Sequence, residues 1–240
     1  MLRPVAPWTP TVLALLRHLE EAGYSASPRV VGDGYDGAGH EVLAYVEGTS
    51  PHPHAWSDDA VTKVGELMRG FHDAAATFPV PAGAVWQPWY FRSAGPDAII
   101  GHCDTGPWNI VAKGGMPVAL IDWEYAGPTD RWDDIAQAAW LNAQLHDDDI
   151  AERYHLPAPD VRARHLRLFL DGYRLSRTER QGFVDRVISY AIRDSAKEAI
   201  DTGVTPETTD PTPLWAISWR ARSAAWMLRK RPLLQAELDH

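Results

Sequence analysis

The chain has 240 residues, 45% of them hydrophobic, a net charge of −9 and one cysteine. That length allows one large domain or two small lobes, and the acidic balance argues against nucleic acid as a partner; it suits a cationic small molecule or serves solubility alone. No apolar run approaches the ~20 residues that span a bilayer, no secretory leader is evident, and a lone Cys103 excludes an internal disulfide, which together predict a cytoplasmic protein with no membrane partner.

Thr9-Pro10 predicts a helix start, with Thr as cap and Pro in the first turn. Val12, Leu13, Leu15, Leu16 and Leu19 supply its apolar face, and Gly23 ends it. Residues 29–32 and 41–46 read as two strands joined by 33–40. The joint contains Gly32-Asp33-Gly34-Tyr35-Asp36-Gly37, a G-x-G-x-x-G match. A strand follows it where a dinucleotide site needs a helix, so it reads as a hairpin connection. His52 and His54 flank Pro53 without a third ligand nearby, which argues against zinc.

Ser57 predicts the cap of a second helix, with Val61, Val64, Leu67, Met68 and Phe71 at helical period. His72 on that helix reads as a packing or surface residue. Residues 79–96, rich in Pro and Trp, read as loop. Ile110-Val111-Ala112, the turn Lys113-Gly114-Gly115 and residues 117–121 predict a β-hairpin. Helical patterns follow over 131–146, 160–172, 177–201 and 213–230. Trp215, Trp219 and Trp226 on the last of these read as core.

The hairpin frames the chemistry. Gly101-His102-Cys103-Asp104 precedes it, Asn109 enters it and Asp122 leaves it, so Asn109 and Asp122 arrive at the same end of the ribbon. Kinase-type phosphoryl transfer needs these groups in this order: a carboxylate to orient and deprotonate a hydroxyl, then an Asn and an Asp to hold Mg²⁺. Mg²⁺ suits one or two protein oxygens, completed by phosphates and water.

With its continuation Asp122-Trp123-Glu124, Gly127-Pro128 and Asp134-Ile135-Ala136, this stretch resembles the aminoglycoside phosphotransferase and choline kinase-like family. The resemblance implies an α+β, protein-kinase-like two-lobe fold: a reduced α/β N-lobe over 1–47, and a mostly helical C-lobe over 48–240 with its catalytic loop near 101–124. It makes Asp104 the catalytic base and Asn109 and Asp122 the metal ligands. It gives His102 and Asp134 the task of bracing the loop, and Glu124 a supporting place beside the metal. It also implies acidic groups for the acceptor in the C-lobe. Asp147, Asp148 and Asp149 are the candidates, set against the plainer reading of a solvated loop or helix cap.

The family's N-lobe carries a phosphate-covering loop and a strand Lys paired with a helix Glu. Here Met1-Leu2-Arg3-Pro4 reads as the stub of that strand, with Arg3 near the Lys position. Glu20 and Glu21 fall only at the far end of the first helix, so the usual clamp is expected to be missing. The nucleotide base is expected near Tyr45 and Val46. The activity implied is phosphoryl transfer from ATP or GTP, with Mg²⁺, to a small-molecule hydroxyl. A non-catalytic binding protein and a repurposed enzyme on the same scaffold are the alternatives.

Overall fold

The computed structural model describes residues 2–240. An N-terminal three-stranded antiparallel sheet has the order β1 (Leu2–Pro4), β3 (His40–Leu43), β2 (Val30–Tyr35). Helix α1 (Thr9–Glu21) lies between β1 and β2 in sequence. Pro10 sits in its first turn, where a missing N–H costs nothing. Thr9 is the first helical residue rather than the cap; its hydroxyl accepts from Ala6 N at 3.0 Å. The expected glycine-rich connection is shorter than the sequence suggests. Gly32 and Gly34 belong to β2, and the turn is closed by Asp36, whose carboxylate accepts from the backbone of Ala38 and His40. Met1 of the expected strand stub lies outside the described residues.

After β3 the chain runs through 44–57 to the helical part. Thr49 and Ala112 exchange backbone hydrogen bonds at 3.0 and 2.9 Å, which ties this connection to the hairpin. Helix α2 (Asp58–Ala75) starts at Ser57, whose hydroxyl accepts from Ala60 N, with Asp58 and Asp59 favourably placed at the positive helix end. Its stripe Val61, Val64, Met68 and Phe71 is fully buried, each side chain contributing about 2 kcal/mol of burial.

Helix α5 (Pro159–Tyr173) packs against α2 at close range. A Cβ on Gly65 would sit 2.1 Å from Phe169 O, and one on Gly172 2.0 Å from Thr62 O, so the two helices meet through reciprocal glycines. Helices α3 (Arg131–Asn142), α6 (Phe183–Asp201) and α7 (Pro211–Asp239) complete the core around Trp140, Tyr190 and Trp226. One contiguous apolar cluster joins α1, α2 and these helices.

Several sequence boundaries shift, among them the helix expected over 131–146, which ends at Asn142, and the strand expected over 41–46, which is His40–Leu43. The helix expected from 177 begins at Phe183, after turns at 177–182. A short helix α4 (Asp148–Arg153) occupies part of the acidic run. Helix α7 continues through Pro232, beyond the expected end at 230. A further two-stranded pair, β4 (Ala98–Gly101) with β7 (Gly127–Asp130), brackets the hairpin of β5 (Ile110–Lys113) and β6 (Met116–Leu120). That hairpin turns at Gly114 and Gly115, both at positive φ, as a tight two-residue turn requires. Among the described residues no helix is long and apolar enough to cross a membrane.

Candidate active site

Strand β4 delivers the chain to a loop, residues 102–106, that is held almost entirely by side chains of α3. The Asp134 carboxylate, fully buried, accepts from Cys103 N at 2.7 Å and His102 N at 3.2 Å. It also accepts from His72 Nε2 of α2 at 2.8 Å, while His72 Nδ1 meets the Tyr173 hydroxyl at 2.6 Å. Burial alone would push Asp134 up. The His72 ring and the Cys103 N–H outweigh it and hold the carboxyl below its usual range.

One turn further along α3, Gln137 Oε1 accepts from Thr105 N at 3.2 Å. Asn142 Nδ2 donates to Thr105 O at 2.8 Å and is itself fixed by the Trp56 indole at 2.9 Å. Asp134 thus holds the backbone of His102 and Cys103 from α3. His72 is a correction: it is no ordinary packing or surface residue but the positioning partner of Asp134. Gln137 and Asn142 were not singled out from the sequence. Their signal was polar residues on a helix face otherwise made of Ala, Ile and Leu.

His102 is fully buried, and burial lowers its pKa, so the ring is neutral. Its Nε2 lies 3.1 Å from Ile121 O, which makes that nitrogen the N–H donor, and its ring meets Trp123 edge-on at 4.6 Å. It steadies the segment leading to Asp122 and does not reach the cavity. Asp122 itself sits in the left-handed region at φ 65°, a conformation Asp tolerates better than most side chains.

The hairpin does what its spacing predicted. Ile121 N donates to Asn109 O at 2.9 Å, which sets Asn109 and Asp122 side by side. The Asn109 amide nitrogen donates to Asp104 Oδ2 at 2.7 Å and to Asp104 O at 2.9 Å. That use of its nitrogen leaves the Asn109 carbonyl oxygen free to accept or to coordinate. Asp122 Oδ1 is buried and lacks an aligned hydrogen bond, although the Arg3 guanidinium is 2.7 Å away as an ion pair. Two hard oxygens beside one another fit a Mg²⁺ ion whose other ligands come from phosphates and water. Among the described residues no group of three or more His, Cys, Asp or Glu is placed to hold a metal without such help.

Asp104 is half-buried. Burial, then the Asp122 charge, raise its pKa; hydrogen bonds from Asn109 and Trp108 pull it back, and it settles at about 6. It lines a cavity of about 250 Å³ with Trp108, Tyr125, Asp194, Lys197 and Arg220. Arg220 binds Asp194 at 2.6 Å, so the charged lining balances two carboxylates against two cations.

A second cavity, about 360 Å³, lies where the N-terminal sheet faces Asp122, with Arg3, Glu41 and Glu124 in its wall. Arg3 and Glu41 are direct partners across β1 and β3. Burial raises Glu41 and Glu124, Arg3 lowers both, and Asp122 raises both. Glu20, near the end of α1, pairs with Arg29 at 3.3 Å. The carboxylates around Arg3 come instead from a neighbouring strand and from the segment after the hairpin. Tyr45 is exposed and Val46 half-buried on the connection after β3; neither lines this cavity.

Asp147, Asp148 and Asp149 are not brought to Asp104. Asp147 caps α4 by accepting from Ile150 N and pairs with Arg222 at 2.6 Å. Asp148 accepts from the Trp226 indole at 2.9 Å, and Asp149 pairs with Arg222. The plainer reading of that run, a helix cap, is the one the contacts favour. The last-helix tryptophans also divide: Trp226 is core, whereas Trp215 and Trp219 line a cavity.

The model of a family described as the phosphotransferase enzyme family matches residues 82–165. Over 237 residues the chain is 52% identical to trifolitoxin immunity protein of Rhizobium leguminosarum bv. trifolii, covering 98% of this chain and 91% of that protein. The chain belongs to the phosphotransferase enzyme family. A microcompartment-associated aminopropanol kinase superposes with a TM-score of 0.64 at 16% identity, over 98% of this chain and 84% of that one. An amicoumacin kinase in complex with AMP-PNP, Ca²⁺ and Ami gives 0.63 at 13% identity, over 95% and 79%. Those likenesses show the fold, the protein-kinase-like two-lobe arrangement expected from the motif.

Proposed function

We propose that the protein transfers the terminal phosphoryl group of ATP or GTP to a hydroxyl of a small antibacterial molecule, with Mg²⁺ assistance and Asp104 as base. One observation carries this reading: the Asn109 amide holds the Asp104 carboxylate at 2.7 Å while the hairpin sets Asp122 beside Asn109. Base and metal ligands are thereby registered to one another before any substrate arrives, and positioning with electrostatics supplies most of the rate in such chemistry. Asn109 Oδ1 and Asp122 would hold Mg²⁺, which when bound neutralises charge on the phosphates. Asp104 accepts the hydroxyl proton; its pKa of about 6 keeps it mostly ionised near neutral pH. Arg3 is the cation at hand for nucleotide phosphate, with Glu41 and Glu124 orienting it. Tyr45 and Val46 remain the proposed base contacts.

The antibacterial acceptor is suggested by the kinship with an immunity protein. The balanced charge around Asp104 suits a polar acceptor better than a strongly cationic one. The single, buried thiol fits a cytoplasmic setting. The test is transfer of labelled phosphate from ATP and GTP to a panel of hydroxyl-bearing antibacterials, with Asp104→Asn as control. Mg²⁺-dependent transfer lost in that variant supports the reading. Tight acceptor binding without transfer would favour a sequestering protein instead, the reading that the Arg3 ion pair on Asp122 supports.

A further inference from the structure

The Asp104 cavity has a neighbour of different character. Trp108 and Trp219 line both. Beyond them lies a space of about 240 Å³ walled by His52, His146, Tyr154 and Trp215. Among the described residues no Asp, Glu, Lys or Arg lines it, against four charged side chains, Asp104 included, in its neighbour. His146 adds no charge, because burial and the nearby Arg162 push it down to about 3. His52 is set edge-on to Trp108 at 5.6 Å and tilted against Tyr154 at 6.4 Å, so the walls hold one another in place.

One polar atom stands out in this wall. Gln144 is only 4% exposed. Its amide nitrogen donates to Pro53 O at 3.1 Å and His54 O at 3.2 Å, which fixes which way the amide faces. Its Oε1 is left buried with no hydrogen-bond partner, and an acceptor in that state costs about 1–3 kcal/mol until a donor reaches it.

We infer that this aromatic cavity is an extension of the acceptor site: it takes an uncharged aromatic or heteroaromatic ring of the same molecule whose hydroxyl reaches Asp104, with a ring N–H or O–H available to Gln144. The inference rests on the proposed reading of the Asp104 cavity as the acceptor site. Shared walls make one ligand the economical occupant of both spaces, and at about 250 and 240 Å³ the pair together falls within the size of ordinary small-molecule sites. Stacking on Trp and Tyr faces is worth enough to change affinity about three- to tenfold.

The experiment compares three probes on the full chain with MgATP: alaninol, phenylalaninol and tryptophanol. Binding is followed calorimetrically and phosphate transfer by label. The expected order of affinity is tryptophanol, then phenylalaninol, then alaninol. Tyr154→Ala and Trp215→Ala, both at partly exposed positions, should bring the aryl-to-alkyl preference toward one, and Gln144→Met, which removes the acceptor oxygen, should lower the tryptophanol-to-phenylalaninol ratio. Asp104→Asn separates the two readings. If it and wild type both bind aryl probes with the same preference and neither transfers phosphate, the aromatic extension stands and the proposed transfer fails. If transfer occurs but all three probes bind alike and the Tyr154 and Trp215 variants behave as wild type, the aromatic extension is overturned and the transfer stands.

Discussion

Arg3, on the edge strand of the N-terminal sheet, lies 2.7 Å from Asp122, the residue that leaves the catalytic hairpin. Glu41 is its direct partner across the sheet. One guanidinium therefore serves carboxylates from both parts of the fold. Arg3→Ala is expected to cut the nucleotide-dependent rise in melting temperature, corresponding to at least a tenfold weaker Kd. The unliganded protein should lose about 1 kcal/mol or less at acid pH, because the pair is about a third exposed. The loss should grow from pH 4 to 7. Glu41 and Glu124 already have raised pKa values, so their folded-state penalty appears as pH rises, and Arg3 is what relieves it. Equal nucleotide stabilisation in wild type and variant would remove Arg3 from the site.

Asp104 carries the sharpest activity–stability conflict. Its carboxyl titrates near 6 in the folded chain against an ordinary 3.8. A raised folded-state pKa gives stability that is present below the unfolded value and lost as pH rises through the folded one. Asp104→Asn should therefore abolish transfer and yet stabilise the metal-free protein at pH 7.5, by up to about 3 kcal/mol. The gain should fade between pH 6 and 4. Thermal melts across that range check it; a variant less stable than wild type at pH 7.5 would contradict the assignment.

Asp134 should behave oppositely. It is buried, ionised and bound by His72 and two backbone N–H groups. Asp134→Ala leaves those donors unmet and should cost about 3–5 kcal/mol in chemical denaturation. Its lowered folded pKa means that its contribution is present above the unfolded value and disappears as pH falls through the folded one. His72→Ala should reproduce part of the loss, and Asp134→Ala with His72→Ala together should cost less than the sum of the two.

Gly65→Ala is a test of packing alone. The added methyl would meet the α5 backbone at 2.1 Å, so the helices must part. A loss of at least about 1–3 kcal/mol is expected, with nucleotide affinity unaffected in the fraction that folds. A neutral result would show that α2 and α5 have slack.

What could be read from the sequence follows the distance over which each signal acts. Asp104, Asn109 and Asp122 are joined by a loop and a hairpin, so spacing alone gave their juxtaposition. His72 and Asp134 lie on different helices, and no local pattern links them; His72 on a helix flank looks like any packing residue until α3 is set against it. For Asp147–Asp149 the sequence leaves both readings open, because an acidic run looks alike whether it meets substrate or caps a helix, and the partner of Asp147 and Asp149, Arg222, lies far along the chain. Trp215, Trp219 and Trp226 share one helix but not one environment: Trp226 is buried against Arg162 at 4.2 Å, while Trp215 is 43% exposed. Helix ends at 177–182 and in the acidic run were misjudged where tertiary contacts override weak propensity.

Cys103 lies between His102 and Asp104 with its backbone at φ 66°, its side chain buried and its thiol pushed well above the usual range by burial. As the one cysteine of the sequence, it is a built-in clock for the catalytic loop. It borders the Asp104 cavity yet is only 1% exposed, so a thiol reagent entering that cavity labels it as the loop opens, and the labelling rate counts those openings. Nucleotide or acceptor that steadies the loop must slow that rate in proportion to the time the loop spends closed.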